Sequence, residues 1–97
     1  MASLGPVTTK KPCRNRIDWD GKNSVHHCDF RGNDLSNVPS SGENCSGICR
    51  NTPGCTHFTW KTYNGGTCYM KQGPVSRCDA DTTDDKHMQC GAVEWSD

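Results

Sequence analysis

The clearest alternation of apolar and polar positions runs from Cys55 to Tyr63, as Cys-Thr-His-Phe-Thr-Trp-Lys-Thr-Tyr. Its period of two and its load of Thr and aromatic residues predict a β-strand. Asn64-Gly65-Gly66 follows as a hairpin turn, and Thr67-Cys68-Tyr69-Met70-Lys71 is the returning strand, closed by Gln72-Gly73-Pro74. Upstream the period changes. Cys45, Ile48 and Cys49 stand at i, i+3 and i+4, one face of a helix that must turn inward. Ser40 as N-cap and Glu43 as N3 make a capping box, and Pro53-Gly54 ends the helix after about Asn51. If Cys68 is bonded to this helix, Phe58, Trp60, Cys68 and Met70 point at it. The other hairpin face then presents His57, Thr59, Lys61, Thr67, Tyr69 and Lys71 to solvent.

The flanking segments carry weaker patterns. Residues 14–27 are polar around an isolated Trp19 and suggest a short irregular strand. Arg31-Gly32-Asn33-Asp34 reads as a turn. Residues 79–86 are acidic and turn-like, and residues 87–93 (HMQCGAV) read as a closing strand. Residues 1–12 have no periodicity and read as a flexible arm or expression remnant, with Met1–Ser3 as vector sequence. The domain is then residues 13–93, and residues 94–97 form a tail in which Trp95 has no assigned role.

Composition explains how so polar a chain could fold. Hydrophobic residues are 31% of 97, and Leu4, Ile17, Leu35 and Ile48 are the only Leu and Ile. That is too little apolar surface for a secure core in one small domain. Eight cysteines change the picture. An even, dense set in a short chain reads as a disulfide framework, each bridge worth roughly 2–4 kcal/mol, and such bonds persist outside the cytosol. Zinc is disfavoured because no CxxC pair occurs. Eleven basic and eleven acidic residues cancel, so bulk charge favours neither nucleic acid nor an anionic membrane. No stretch approaches the roughly 20 apolar residues of a membrane span. Residues 1–12 lack the apolar core of a signal peptide, which fits a mature chain.

The ordered runs CDFRGNDL, ENCSGIC, PGCTHFTW and GGTCYMK resemble the PAN/Apple family over about residues 19–93. The most diagnostic portions are Cys45-xxx-Cys49, Cys55-x-x-Phe58-x-Trp60 and Gly66-Thr67-Cys68-Tyr69-x-Lys71. The resemblance implies an α+β fold: a small, disulfide-rich domain with an antiparallel sheet cradling one helix. It also implies bridges Cys45–Cys68, Cys49–Cys55 and Cys28–Cys90, which leaves Cys13–Cys78 as an extra pair. The partners of Cys13 and Cys28 remain exchangeable at this stage, since eight cysteines allow 105 pairings. Members of the family are extracellular modules that bind proteins or carbohydrates, so the resemblance implies a recognition role and leaves the ligand open.

Chemistry-bearing residues add little toward catalysis. No nucleophile elbow, zinc-protease motif or phosphate loop is present, and paired cysteines leave no spare nucleophile. His26, His27, His57 and His87 read as surface histidines without ligand spacing. Asp79-x-Asp81-x-Thr83-x-Asp85 opens like a calcium loop but has Asp84 where Gly is needed and Cys90 where Glu is needed, so it reads as a solvated loop. Asn44-Cys45-Ser46 matches the N-glycosylation triplet, but its place in the predicted helix beside a bridged cysteine argues against use. The candidate ligand-binding residues are Thr59, Lys61, Tyr69 and Lys71 on the outer hairpin face, with Tyr63 at its rim: aromatic faces stack on sugar rings and lysines pair with sulfate or carboxylate. The sequence therefore predicts a secreted, monomeric, non-catalytic module without cofactor or metal, binding an extracellular glycan or protein. A structural or self-assembling extracellular protein is the alternative.

Overall fold

A computed structural model describes Ile17, Trp19 and residues 21–97 of the chain. Its strands are β1 (Ser24–His26), β2 (Cys28–Asp29), β3 (Asp34–Pro39), β4 (Cys55–Lys61), β5 (Thr67–Gln72), β6 (Asp81–Thr82) and β7 (Gln89–Ala92). The helix is α1 (Gly42–Asn51). Five strands form one antiparallel sheet in the order β1-β7-β4-β5-β3, while β2 and β6 form a separate two-stranded ribbon. This is the α+β arrangement of one helix and antiparallel sheets expected of a small disulfide-rich domain.

The β4–β5 hairpin forms the middle of the sheet, in the register Lys61↔Thr67, Trp60↔Cys68, Phe58↔Met70. Its strand ends earlier than the alternation suggests, since Tyr63–Gly65 winds into one 3₁₀ turn. Gly66 then passes close to a neighbour, with φ +123°: a Cβ there would sit 2.5 Å from the Ser40 carbonyl and 2.9 Å from the Trp60 ring. That gap lets the Trp60 indole N–H donate to the Ser40 carbonyl at 2.9 Å. The same contact moves the helix start. The Ser40 N–H donates to the Gly66 carbonyl, so Ser40 belongs to the hairpin end and the N-cap is Ser41, without a side-chain cap bond. The predicted Ser40–Glu43 capping box is therefore not formed. At the other end Thr52 caps α1, its hydroxyl donating to the Ile48 carbonyl at 2.7 Å.

Two cores lie on opposite faces of the sheet. Between helix and sheet are Cys45, Cys49, Cys55, Phe58, Cys68 and Met70, with Leu35, Val38, Ile48 and Trp60 around them. Leu35 and Val38 come from β3, which the apolar spacing hides. A register shift between Asp34 and Ser36 lets two residues three apart share a face. The bridges Cys45–Cys68 and Cys49–Cys55 bind α1 to β5 and β4. The second core holds Trp19, Cys28, Phe30, Val75, Ala80, Cys90 and Ala92, with Ile17, Val25 and Trp95 packed against it. Cys28–Cys90 crosses from the β2 ribbon to β7. Cys78 is also disulfide-bonded, and its proposed partner Cys13 lies outside the described residues, as does the arm of residues 1–12.

The second core corrects the expectation of a solvated outer hairpin face. His57, Thr59, Thr67 and Lys71 are all buried. The segment 28–33 covers His57, Thr59 and Lys71, whereas Thr67 donates its hydroxyl to the Tyr63 carbonyl in the hairpin turn. Phe30 stands edge-on to the His57 ring at 5.0 Å, and its N–H donates to Thr59 Oγ1 at 2.9 Å. The tail is held to the same layer. Trp95 packs edge-on against Trp19 at 4.9 Å, the Ser96 N–H donates to the Val75 carbonyl at 2.8 Å, and Asp97 pairs with Arg77 at 2.7 Å.

His57 is thus a core residue, not a surface one. The Thr56 hydroxyl donates to the Gly73 carbonyl at 2.6 Å and lies 2.8 Å from His57 Nδ1. A hydroxyl has one proton to give, so His57 Nδ1–H is the donor in the second contact. Burial, reinforced by the Lys71 ammonium and opposed by Asp79, pushes the His57 pKa from 6.5 down to about 4. A histidine kept neutral in the fold but free to protonate when unfolded makes the unfolded state bind more protons between these values. Stability is full above pH 6.5 and falls as pH drops toward 4. Between pH 6.5 and 5 the loss is on the order of 2 kcal/mol. Chemical denaturation across that range should show this slope, and His57→Gln should flatten it. An equal slope in the variant would assign the loss to another group. The second core makes a separate prediction: Phe30→Ala should destabilise by about 3–5 kcal/mol, as expected for Phe58→Ala. A cost below about 1 kcal/mol in urea unfolding, in the range of surface substitutions, would show that segment 28–33 does not cover the sheet.

Candidate functional site

Where segment 29–34 passes over the hairpin it leaves a surface pocket of about 270 Å³. One wall is the loop, from Asp29, Phe30, Arg31, Gly32 and Asp34; the other is the hairpin, from Lys61, Tyr69 and Lys71. The loop turns here because Gly32 and Asn33 both take positive φ, +75° and +60°. Without a Cβ, Gly32 can bend so that its carbonyl meets the Lys71 ammonium at 3.0 Å.

The pocket brings together three of the five ligand-binding candidates and separates the other two. Lys61, Tyr69 and Lys71 line it. Thr59 lies beneath the loop, fully buried, with its hydroxyl committed to Phe30. Tyr63 sits in the hairpin turn, 64% exposed, and does not line the pocket. Thr59 is therefore corrected to a packing residue, because the face that strand alternation leaves for solvent is covered.

The charges in the pocket differ in availability. Lys71 Nζ pairs with Asp34 Oδ1 at 2.6 Å, and its side chain is 6% exposed. With the Gly32 contact this makes Lys71 the strut that holds the loop wall. Arg31 pairs with Asp81 at 3.1 Å, both ends exposed, a contact that water and salt weaken. Lys61 has no ion pair among the described residues, and its Nζ lies 5.3 Å from the centre of the Tyr69 ring. That ring steadies the ammonium without neutralising it. The pocket thus offers one uncommitted cation on an aromatic face, an exposed guanidinium, and the carboxylates of Asp29 and Asp34 as acceptors.

Arg31 and Asp34 were legible only as parts of a turn, and Asp29 before it carried no reading. Charges of alternating sign around Phe30 and Gly32 are a usable signal, but it points to a site only when the loop is known to cross the hairpin. The acidic segment is taken up by local structure: Asp79 Oδ2 accepts from the Ser76 N–H, Asp81 pairs with Arg31, and Asp85 Oδ1 accepts from the His87 N–H. Among the described residues no group of three or more His, Cys, Asp or Glu is placed to hold a metal. No described helix is long and apolar enough to cross a membrane.

Residues 28–71, from the β2 ribbon through α1 to the end of the hairpin, match the family model described as PAN domain. No curated protein and no solved structure matches the chain. PAN domains often mediate protein or carbohydrate interactions and are generally non-catalytic. The matched span contains both walls of the pocket, the helix and the two bridges that fasten it to the hairpin. The match supports a PAN/Apple-type domain built around residues 28–71.

Proposed function

We propose that the protein is a secreted, non-catalytic recognition module whose pocket between loop 29–34 and the hairpin binds an acidic glycan. The observation that carries this reading is Lys61, an ammonium without an ion-pair partner among the described residues, placed over the Tyr69 ring in a pocket that also holds carboxylates. A uronate or sulfate group would pair with Lys61 and Arg31, and sugar hydroxyls would donate to Asp29 and Asp34. The size sets the scale. About 270 Å³ lies just below the usual range of small-ligand pockets, which suits one sugar residue of a chain. The bridges support an extracellular setting, where such bonds persist.

A protein ligand is the second reading, favoured by Tyr63. It is the one exposed large hydrophobic side chain among the described residues, and Tyr is enriched among the anchors of protein interfaces. The two readings use different residues, so variants separate them.

A glycan array with sulfated glycosaminoglycans and uronate-containing polysaccharides, probed with oxidised protein and a reduced control, is the test. Lys61→Ala should weaken the strongest hit by about tenfold or more, equivalent to ~1.4 kcal/mol, with an unchanged melting temperature. Tyr63→Ala should leave it unchanged. Lys71→Ala should lower both affinity and melting temperature, because it removes the strut of the loop wall. A blank array, or a hit insensitive to Lys61, would remove the acidic-glycan reading and direct attention to protein partners through Tyr63. Mass rising with concentration in light scattering would instead favour the self-assembling alternative over a monomer.

A further inference from the structure

Asn44-Cys45-Ser46 is the single Asn-x-Ser/Thr triplet in the chain. A helix and a bridged cysteine argue against its use, and the structure answers both objections. Asn44 lies in the first turn of α1 with its side chain exposed, while Cys45 beside it is fully buried in the bridge to Cys68. Asn44 is exposed to solvent. One turn along the helix, Gly47 has open space where a Cβ would stand, with nothing within 4 Å, and Ile48 turns to the core between helix and sheet. An exposed amide in the first turn is open to attachment.

The order of events removes the rest of the objection. N-glycosylation acts on the chain before it folds. Cys68 follows Cys45 by 23 residues, so at roughly 5–20 residues per second the native bridge cannot close for about 1–5 s after Cys45 is made. Nor is the helix present during that interval. Its ten residues are too few to be stable in water without the sheet they pack on. The triplet is therefore presented as open chain.

We propose that Asn44 carries an N-linked glycan in the exported protein. The Asn44 amide nitrogen bonds to the anomeric carbon of an oligosaccharide carried on a lipid pyrophosphate. The bond from that carbon to the pyrophosphate oxygen breaks, the lipid pyrophosphate leaves with the electron pair, and the amide gives one proton to a base. This rests on the export part of the proposed function and not on the pocket. The helix and the pocket lie on opposite faces of the sheet, so the glycan leaves the pocket open.

The test is secretion of the full chain from a eukaryotic host, followed by intact mass before and after peptide N-glycosidase. Most molecules should carry added hexosamine and hexose mass that the enzyme removes, leaving aspartate at position 44. Ser46→Ala and Asn44→Gln should both lose the shift, and Ser46→Thr should keep it. Chain retained in the cells is digested and weighed in the same way, so poor secretion of any variant leaves the result readable. Fully oxidised wild-type protein with the unmodified mass would overturn the proposal. Glycan binding by protein made without this modification reports on the pocket separately.

Discussion

Phe30 lies on the face of the sheet that the helix does not cover, with its N–H on Thr59 Oγ1 and its ring against His57. The rest of the structure depends on that contact. A sheet with one helix has two faces to bury, and this chain has apolar residues for little more than one. The second face is closed by a ribbon of two-residue strands, a turn, and aromatics drawn from distant positions. Such a layer has few backbone hydrogen bonds to the sheet and holds only if something fixes its ends. Cys28–Cys90 does this at the ribbon, and Lys71 does it at the turn, through Gly32 and Asp34.

The bridges differ in what they contribute. In the chain-entropy picture, Cys28–Cys90 closes a separation of 62 residues and restricts the unfolded chain by about 4 kcal/mol, whereas Cys49–Cys55 closes 6 residues and contributes about 2 kcal/mol. The short bridge trims the helix end, which Thr52 already caps. The long one joins the ribbon to the sheet it covers. It stands in for the second helix that a larger α+β domain would use, and it leaves the loop after β2 free to bend outward and form a pocket wall.

The elements whose signals are local were legible in the sequence. The hairpin follows from strict alternation and Asn-Gly-Gly, the helix from the spacing of Cys45, Ile48 and Cys49, and the closing strand from residues 87–93. What escaped depends on tertiary contact. β3 is hidden because its register shift breaks the period of two. The Ser40–Glu43 box fails because the Ser40 backbone is drawn to Gly66 and Trp60. The second core is built from Trp19, Phe30 and Trp95, single aromatics in polar surroundings that no periodicity links. Thr59 was misplaced for the same reason, since alternation says which face a residue is on and not what covers it. Lys61 and Tyr69 could be read from the hairpin, whereas Arg31 and Asp34 became part of a site only once the loop was seen to cross it.

The pocket follows from this architecture. Loop and hairpin come close enough to share Lys71, yet remain apart around Lys61, which keeps its charge available. Amide hydrogen exchange at Phe30 tests the account most directly. Phe30 lies outside the strand ladders, so its N–H is shielded only if segment 28–33 closes the second face against Thr59. The account predicts exchange as slow as that of the β4–β5 ladder amides in the oxidised protein. Exchange at the rate of an unstructured peptide would contradict it, and with it the pocket.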